Sequence, residues 1–256
     1  MKKTIALSAM TAMALSGLAY SQDDSAVSAD FAVSWNSDYV FRGADLGDDL
    51  FTYGLDVSGS CDCGFDWSAG IWYAEFDAGS TTIPANSLGL GLPESTIANS
   101  DEELDIYAGI SKDFGFGTLG LGFIRFIFPD DDNAGNTEIY LTYGTSFAGI
   151  DLGVGVYWNA QADDNSVTDQ DDLYYELSAS YGHDFTDKLS GSVGAVVGFN
   201  NTNGGLNGFS HVTTTLGLSY AVSENVSVDP YLAYTGADED LDSDSFFGGV
   251  SVGFSF

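Results

Sequence analysis

Apolar residues alternate with small or polar residues along most of the chain. In the segment GIDLGVGVYWN, one face carries Ile150, Leu152, Val154, Val156 and Trp158. A period of two is typical of a β-strand with one apolar face, and the alternation recurs over 103–110, 188–199 and 211–220. Apolar residues at a helical spacing are rare. The pattern therefore predicts an all-β fold.

The alternating segments indicate about twelve strands. They lie at about 30–42, 50–58, 64–77, 103–112, 115–127, 136–147, 149–160, 172–184, 187–199, 208–221, 225–235 and 244–256. Each is long enough to cross a bilayer at a tilt. Connections after even-numbered strands are short, as in FAG, FTDK and SEN, whereas those after odd-numbered strands are longer and rich in aspartate, as in PDDDNAGN and QADDNSVTDQDD.

This sorting of connections distinguishes a membrane barrel from a soluble β-sandwich. The strands of a sandwich also alternate apolar and polar side chains, but nothing requires its short and long loops to lie at opposite ends. The sequence predicts an antiparallel transmembrane β-barrel with short periplasmic turns and long acidic extracellular loops. Because twelve is an even number, both termini are expected in the periplasm.

Composition restricts the partners. The 256 residues include 38 acidic and 6 basic side chains, for a net charge of −32, and 44% are hydrophobic. The hydrophobic fraction excludes a disordered polyelectrolyte, and the charge argues against nucleic acid as a partner. Residues 1–21 read as a secretory signal peptide, with Lys2 and Lys3 before an apolar stretch and Ala19-Tyr20-Ser21 at the cleavage site.

Three regions and one cellular location follow. We expect the signal peptide at 1–21, an N-terminal periplasmic segment at 22–29 and the barrel at 30–256, in the outer membrane of a Gram-negative bacterium after cleavage. The C-terminal FFGGVSVGFSF places Phe254 and Phe256 on one face and looks like the terminal-strand signal read by the barrel assembly machinery. Outer-membrane lipid and lipopolysaccharide are the other expected partners.

The first strand contains an arginine in a chain with few positive charges. Alternation places Trp35, Tyr39 and Phe41 toward lipid, and Asp38 and Arg42 toward the lumen. An arginine facing lipid near the bilayer midplane would cost about 2–4 kcal/mol, so the lumen is the favourable placement. Arg42 would stand at the extracellular end, before the loop GADLGDD, as a gate or rim charge.

The same stretch carries a family resemblance. VSWNSDYVFRGADLGDD, followed by YGLDVSG, WSAGIWYAEFD and ELDIYAGIS, resembles the TorF family of porin-like proteins, also catalogued as Gcw_chp. The family hallmark S-D-Y-x-F-R-G is matched by Ser37, Asp38, Tyr39, Phe41, Arg42 and Gly43. The resemblance is strong over about 30–112, although IWYAEFD at 71–77 departs from the W-x-S-N-like element of the family. It implies an outer-membrane channel of undefined solute.

Acidic residues dominate the predicted lumen. The pore-lining or rim candidates are Asp38, Arg42, Asp56, Asp105, Glu138, Asp151, Glu176 and Asp229. Carboxylates in a narrow channel favour cations. We therefore expect a narrow, passive, cation-leaning porin for small polar or cationic solutes. Twelve strands fall between plugged and open barrels, so a non-conducting structural or adhesive barrel with acidic surface loops is the alternative.

No cofactor, metal site or catalytic site is assigned. His211 and Thr213 share a face and could mimic a base and a nucleophile, but no carboxylate partner is indicated, and His211 is interpreted as a polar rim residue. Asp238, Asp240, Asp242 and Asp244 could hold divalent cations at the loops, although solvated acidic loops are the preferred interpretation.

Three features leave alternatives open. The segment 78–102 could fold into the barrel mouth or stand outside it. Cys61 and Cys63 could form a disulfide, remain free or link two molecules. Arg125 falls on the lipid face of its strand, which a bulge or a position at the outer interface, near lipopolysaccharide phosphates, would explain.

Overall fold

A computed structural model describes residues 27–83, 95–98, 101–129, 135–162, 171–202, 207–238 and 244–256. Within these ranges the chain forms fourteen strands. They are β1 (Ser28–Phe41), β2 (Ala44–Ser60), β3 (Asp66–Asp77), β4 (Ser80–Ile83), β5 (Ser95–Ala98), β6 (Glu102–Asp113), β7 (Thr118–Ile127), β8 (Gly135–Phe147), β9 (Ile150–Ala162), β10 (Leu173–Asp184), β11 (Leu189–Asn201), β12 (Asn207–Ala221), β13 (Val226–Ala237) and β14 (Ser245–Ser255). The signal-peptide prediction lies outside the described residues.

Twelve of these strands form a closed antiparallel barrel, in the order β1-β14-β13-β12-β11-β10-β9-β8-β7-β6-β3-β2. The first and last strands close it, with Trp35 opposite Val250. The predicted all-β antiparallel barrel of about twelve strands is thereby confirmed. The remaining pair, β4 and β5, forms a separate two-stranded sheet within the connection 78–101, which the sequence did not predict because four residues are too few to show a period.

The two faces of the wall differ as the alternation predicts. Apolar side chains such as Leu121, Val154 and Leu216 are 49%, 43% and 62% exposed on the outer face. Tyr157, on the other face of β9, is 4% exposed and points into the lumen. The outer face therefore presents an apolar surface to lipid, while the lumen is polar. No helix in the described part of the chain has the length and apolar character needed to span a membrane.

Most connections are sorted by length between the two ends of the barrel. At one end, called here the short-turn end, the connections are 61–65, 114–117, 148–149, 185–188 and 222–225. At the opposite, long-loop end they include 78–101, 128–134, 163–172 and 238–244. Of the four acidic loop residues considered for divalent cations, Asp240 and Asp242 lie outside the described residues. In the turn 61–65, Cys61 and Cys63 form a disulfide, which selects one of the three alternatives.

The first long-loop connection is an exception. The sequence predicted a loop over GADLGDD, but β2 already begins at Ala44, so only Arg42 and Gly43 join β1 to β2. Both have positive φ, 50° and 92°, as a two-residue hairpin turn of the I′ type requires. A Cβ atom on Gly43 would lie 2.6 Å from the His211 Cβ, so this turn is packed against another strand.

Candidate functional site

The end of the β1–β2 hairpin leaves the barrel wall. β1 is paired with β14 only up to Asn36, and β2 is paired with β3 from Asp48 onward. Residues 37–47 are called here the hairpin tip. Within it β1 and β2 pair only with each other, from Tyr39 opposite Gly47 to Phe41 opposite Ala44, with a register shift between Tyr39 and Val40. A shift of this kind bends and twists a strand. The tip consequently folds into the lumen at the long-loop end.

Tyr39 lies inside the barrel. It is 2% exposed, its ring makes edge contacts with Trp72 and Phe76, and its hydroxyl donates to the Glu103 Oε2 at 2.6 Å. The expectation that Tyr39 faces lipid is therefore wrong. β1 leaves the wall after Asn36, so Tyr39 cannot be assigned to the lipid face by counting from Trp35, which does face outward.

Phe41 was also expected at the lipid face and also lies inside. Its ring contacts that of Phe126, a buried residue of the lumen face of β7, at 5.9 Å between centroids. On the opposite side of the tip, Val40 packs against Ala233 and Phe247. The tip is therefore held by apolar contacts with strands on both sides of the lumen.

Arg42 stands at the extremity of the tip and reaches across the lumen. Its guanidinium donates two hydrogen bonds to the Glu138 carboxylate, both of 2.7 Å. It also lies over three rings, with its Cζ at 4.8 Å from the centroid of Phe41, 4.8 Å from that of Tyr157 and 4.2 Å from that of Tyr174. A bidentate ion pair and ring faces are the two arrangements that a planar guanidinium favours.

The two wall tyrosines are held by bonds of their own. The Tyr157 hydroxyl donates to the Glu176 Oε1 at 3.0 Å. The Tyr174 hydroxyl is 3.0 Å from the His211 Nε2, with the two rings parallel. The other ring nitrogen of His211, Nδ1, lies 3.0 Å from the Thr213 hydroxyl. The ring orientations are thus fixed by a network that does not include Arg42.

His211 is not a rim residue as the sequence analysis proposed, because it is fully buried. Gly43 of the tip covers it from one side, and the Thr213 hydroxyl is also bonded to Thr235 at 2.8 Å. The Ser210 hydroxyl, beside it, donates to the Arg42 carbonyl oxygen at 3.1 Å. His211 therefore supports the site around the hairpin tip.

The acidic candidates occupy two environments. Asp105, Glu138 and Glu176 are buried around the tip, together with Glu103, which the sequence analysis did not select. A clue existed, since Glu103 is two residues from Asp105 and shares its face. The Oδ1 atom of Asp105 is buried and has no hydrogen-bond partner among the described residues. Of these four carboxylates, Glu138 forms an ion pair with Arg42.

The other acidic candidates lie on the lumen face or on the tip, away from this cluster. Asp56 accepts a hydrogen bond of 2.7 Å from the Tyr107 hydroxyl, and Asp229 accepts one of 2.6 Å from the Ser227 hydroxyl. Asp151 is exposed at the short-turn end and accepts from the Ser146 hydroxyl. Asp38 is half-buried on the tip and accepts from the adjacent Ser37 hydroxyl.

The lumen is filled at one end and more open at the other. Along the lumen face of β10, Tyr174 and Glu176 are buried, Ser178 and Ser180 are half-buried, and Asp184 is exposed. β12 shows the same gradient, because His211, Thr213 and Thr215 are buried and Gly217 and Ser219 are half-buried. The hairpin tip therefore closes the long-loop half of the lumen, while the short-turn half remains accessible.

Arg125 keeps the regular alternation of β7 and so projects from the outer face, near the long-loop end of the strand. Its guanidinium is 3.4 Å from the Thr137 hydroxyl. Of the two explanations offered, a position at the end of the strand fits and a bulge does not.

The side chains of Lys112 and Lys188 lie by short turns, where Lys112 Nζ contacts the ring of Phe65 at 4.7 Å.

The last strand ends with the two phenylalanines expected to serve assembly. Phe254 pairs with Phe31, with ring centroids 6.1 Å apart, and Phe256 is 79% exposed while its amide donates to the Ala29 carbonyl oxygen at 2.9 Å. Their role as a signal stays a prediction. Among the described residues, no three His, Cys, Asp or Glu side chains are placed so that they could hold a metal ion together.

A closed barrel with an apolar outer face, a polar lumen and short turns at one end belongs to the class of outer-membrane-type β-barrels. Within that class, the chain is a member of the family described as "Bacterial protein of unknown function (Gcw_chp)", whose model matches residues 20–251. The Gcw_chp part of the predicted resemblance is confirmed, while the TorF name stays an interpretation of the first-strand motif. None of the curated proteins matches the chain.

Solved structures of outer-membrane barrels align with almost the whole chain. The COG4313 outer membrane channel from Pseudomonas putida F1 has a TM-score of 0.54 and 10% identity, over 92% of this chain and 97% of that chain. The KdgM porin has a TM-score of 0.50 and 12% identity, over 90% and 99%. The NanC porin has a TM-score of 0.51 and 10% identity, over 89% and 98%. At these identities the likeness concerns the fold alone.

Proposed function

We propose that the protein is an outer-membrane, porin-like channel for passive diffusion of small solutes, with a preference for cations and without catalytic activity. The observation that carries the proposal is the excess of carboxyl groups over basic side chains in the lumen. Glu103, Asp105, Glu138 and Glu176 are buried there, and Arg42 pairs with one of them. Carboxylates removed from water are costly unless a positive charge balances them, so a cation entering the lumen is stabilised.

The distribution of basic side chains supports the same preference. Arg42 is engaged by Glu138, Arg125 projects from the outer face, and Lys112 and Lys188 lie by short turns. The KdgM porin has also been solved in complex with disordered oligogalacturonate. A lumen rich in carboxylates would repel an oligogalacturonate, so we do not extend that ligand to this chain.

Passage past the long-loop half requires the hairpin tip to move. The tip is attached to the wall by side-chain contacts and by Ser210, rather than by strand pairing. It can therefore leave the lumen without breaking the hydrogen-bonded ladder that closes the barrel. The channel is accordingly narrow, and its opening depends on how strongly the tip is held.

The buried long-loop half also favours a second candidate, a structural or adhesive barrel that does not conduct. In that case the tip is a permanent plug, and the acidic loops are the working surface. The expected location in the outer membrane, and lipopolysaccharide and the assembly machinery as partners, are the same for both candidates.

Conductance across planar lipid bilayers tests the proposal. We expect the wild-type barrel to give small steps with a cation-selective reversal potential in a potassium chloride gradient. Arg42→Asn should give larger steps and stronger cation selectivity, because Asn-Gly suits the I′ turn while the guanidinium is lost. Lys188→Asn removes the same charge from an exposed short turn and should change neither property.

The outcomes separate the two candidates. Silence from both wild-type and Arg42→Asn protein, each folded as judged by heat-modifiable gel migration, would establish the non-conducting barrel. An anion-selective reversal potential would contradict the role given to the lumen carboxylates. Equal effects of Arg42→Asn and Lys188→Asn would show that the position of Arg42 in the lumen is unimportant.

A further inference from the structure

The binding partners of the Arg42 guanidinium belong mostly to the barrel wall. Glu138 lies on β8, Tyr157 on β9 and Tyr174 on β10, and these three strands are adjacent in the barrel. Of the described groups that contact the guanidinium, only Phe41 comes from the tip itself. The wall therefore presents one carboxylate and two ring faces, all aimed at the same point in the lumen.

This wall site is held together without Arg42. Tyr157 is bonded to Glu176, and Tyr174 is bonded to His211, which is bonded in turn to Thr213. Because hydrogen bonds within the wall fix the rings, removal of the guanidinium leaves their faces in place. A prearranged site loses less conformational entropy on binding a ligand than one that must be ordered.

A second observation points to a cationic guest. The buried Asp105 Oδ1 has no hydrogen-bond partner among the described residues. Asp105 lies opposite Phe126 of β7, and Phe126 lies opposite Asn136 of β8, two residues from Glu138. Asp105 and Glu138 are thus two strands apart and offset by two residues, about 12 Å between their backbones, on the same face of the sheet. A donor-bearing cation in the lumen can approach both carboxylates.

We propose that the wall site formed by Glu138, Tyr157 and Tyr174 is a binding site for small guanidinium compounds, and that Arg42 is a tethered occupant which such solutes displace. The inference rests on the proposed channel function, since it names the class of solute that the channel takes. A guanidinium is preferred to an ammonium because it is planar, donates in parallel to a carboxylate and stacks on aromatic rings. A potassium ion can neither donate hydrogen bonds to a carboxylate nor stack on an aromatic ring.

Isothermal titration of the folded, full-length mature barrel in detergent tests the inference without relying on conduction. The probe is methylguanidinium chloride, with methylammonium and potassium chlorides as comparison cations. We expect Arg42→Asn to bind methylguanidinium at least about tenfold more tightly than wild type, which retains its tethered competitor. Arg42→Gly, which also suits a positive φ, should behave in the same way and guards against a folding defect of the first variant.

A matched double variant shows where the probe binds. Arg42→Asn combined with Glu138→Gln should lose the gain, whereas Arg42→Asn combined with Asp151→Asn should retain it, because Asp151 is exposed at the opposite end of the lumen. Equal affinity for wild type and both Arg42 variants, or no discrimination between methylguanidinium and methylammonium, would overturn the inference.

Bilayer recordings keep this inference separate from the channel proposal. If Arg42→Asn conducts and methylguanidinium reduces its current at the concentrations that saturate binding, both proposals are supported. If it conducts but shows no binding and no block, the guanidinium site is refuted and the channel stands. If it binds the probe but never conducts, the site stands and the channel proposal fails.

Discussion

The ion pair between Arg42 and Glu138 allows a quantitative test of how the hairpin tip is held. Their side chains are 17% and 6% exposed, and both hydrogen bonds are 2.7 Å long. Removing one partner of a buried pair typically costs about 3–5 kcal/mol, because the other charge remains buried without compensation. We therefore expect Glu138→Gln to destabilise the barrel by about 3–5 kcal/mol. Arg42→Asn should fall near the lower end of this range, since asparagine tolerates the positive φ of Arg42.

The double variant, Arg42→Asn with Glu138→Gln, leaves no uncompensated charge at the pair. Its cost should be smaller than the sum of the single costs by at least about 2 kcal/mol, well beyond the 0.3–0.5 kcal/mol within which independent sites add. Urea unfolding of protein refolded into lipid vesicles, followed by tryptophan fluorescence, measures all four free energies of unfolding.

The matched control is the cycle of Arg42→Asn with Asp151→Asn. These residues lie at opposite ends of the lumen, so their effects should add. If the Arg42–Glu138 cycle proves as additive as this control, the guanidinium is not held by Glu138 and the reasoning on the tip fails.

Three further predictions concern the tip and the end of the chain. Gly43→Ala should lower the free energy of unfolding by about 2–3 kcal/mol, because it combines the strain of a positive φ with a Cβ that lies 2.6 Å from the His211 Cβ. Gly64→Ala is the control, since Gly64 has a positive φ but no atom within 4 Å of the added Cβ, and it should cost only about 1 kcal/mol. Equal urea midpoints for the two variants would contradict the packing argument. Tyr39→Phe should cost about 1–3 kcal/mol in the same assay, since its buried carboxylate acceptor loses a donor, and an unchanged midpoint would count against that bond. Phe256→Ala should reduce the heat-modifiable, folded fraction in cells without altering the urea midpoint of refolded protein, and an unchanged fraction would argue against an assembly signal.

Much of the barrel was predictable from the sequence because the relevant information is local. A strand that separates lipid from a polar lumen must alternate its side chains, and β9 and β12 show that alternation in the sequence and in the structure alike. The structure also shows the predicted sorting of short and long connections, since the length of a connection is a property of the chain itself. Charge and composition were sufficient to predict an acidic lumen.

The faces of Tyr39 and Phe41 were not predictable in this way. Alternation assigns a residue to one side of a strand, but it gives a lumen or lipid assignment only while the strand remains in the wall. β1 leaves the wall after Asn36, and no residue nearby in sequence signals that departure. Glu103 and His211 were undervalued for a related reason, because their importance comes from contact with a tip that is remote in sequence.

The sequence by itself determined a twelve-stranded, acidic membrane barrel. One face of each strand contacts lipid and the other faces the polar lumen, so apolar and polar side chains alternate along the strand. Only the tertiary structure decided that the turn formed by Arg42 and Gly43 lies within the lumen. That placement depends on a carboxylate from β8 and rings from β9 and β10 converging on one guanidinium, and such convergence exists only once the barrel has closed.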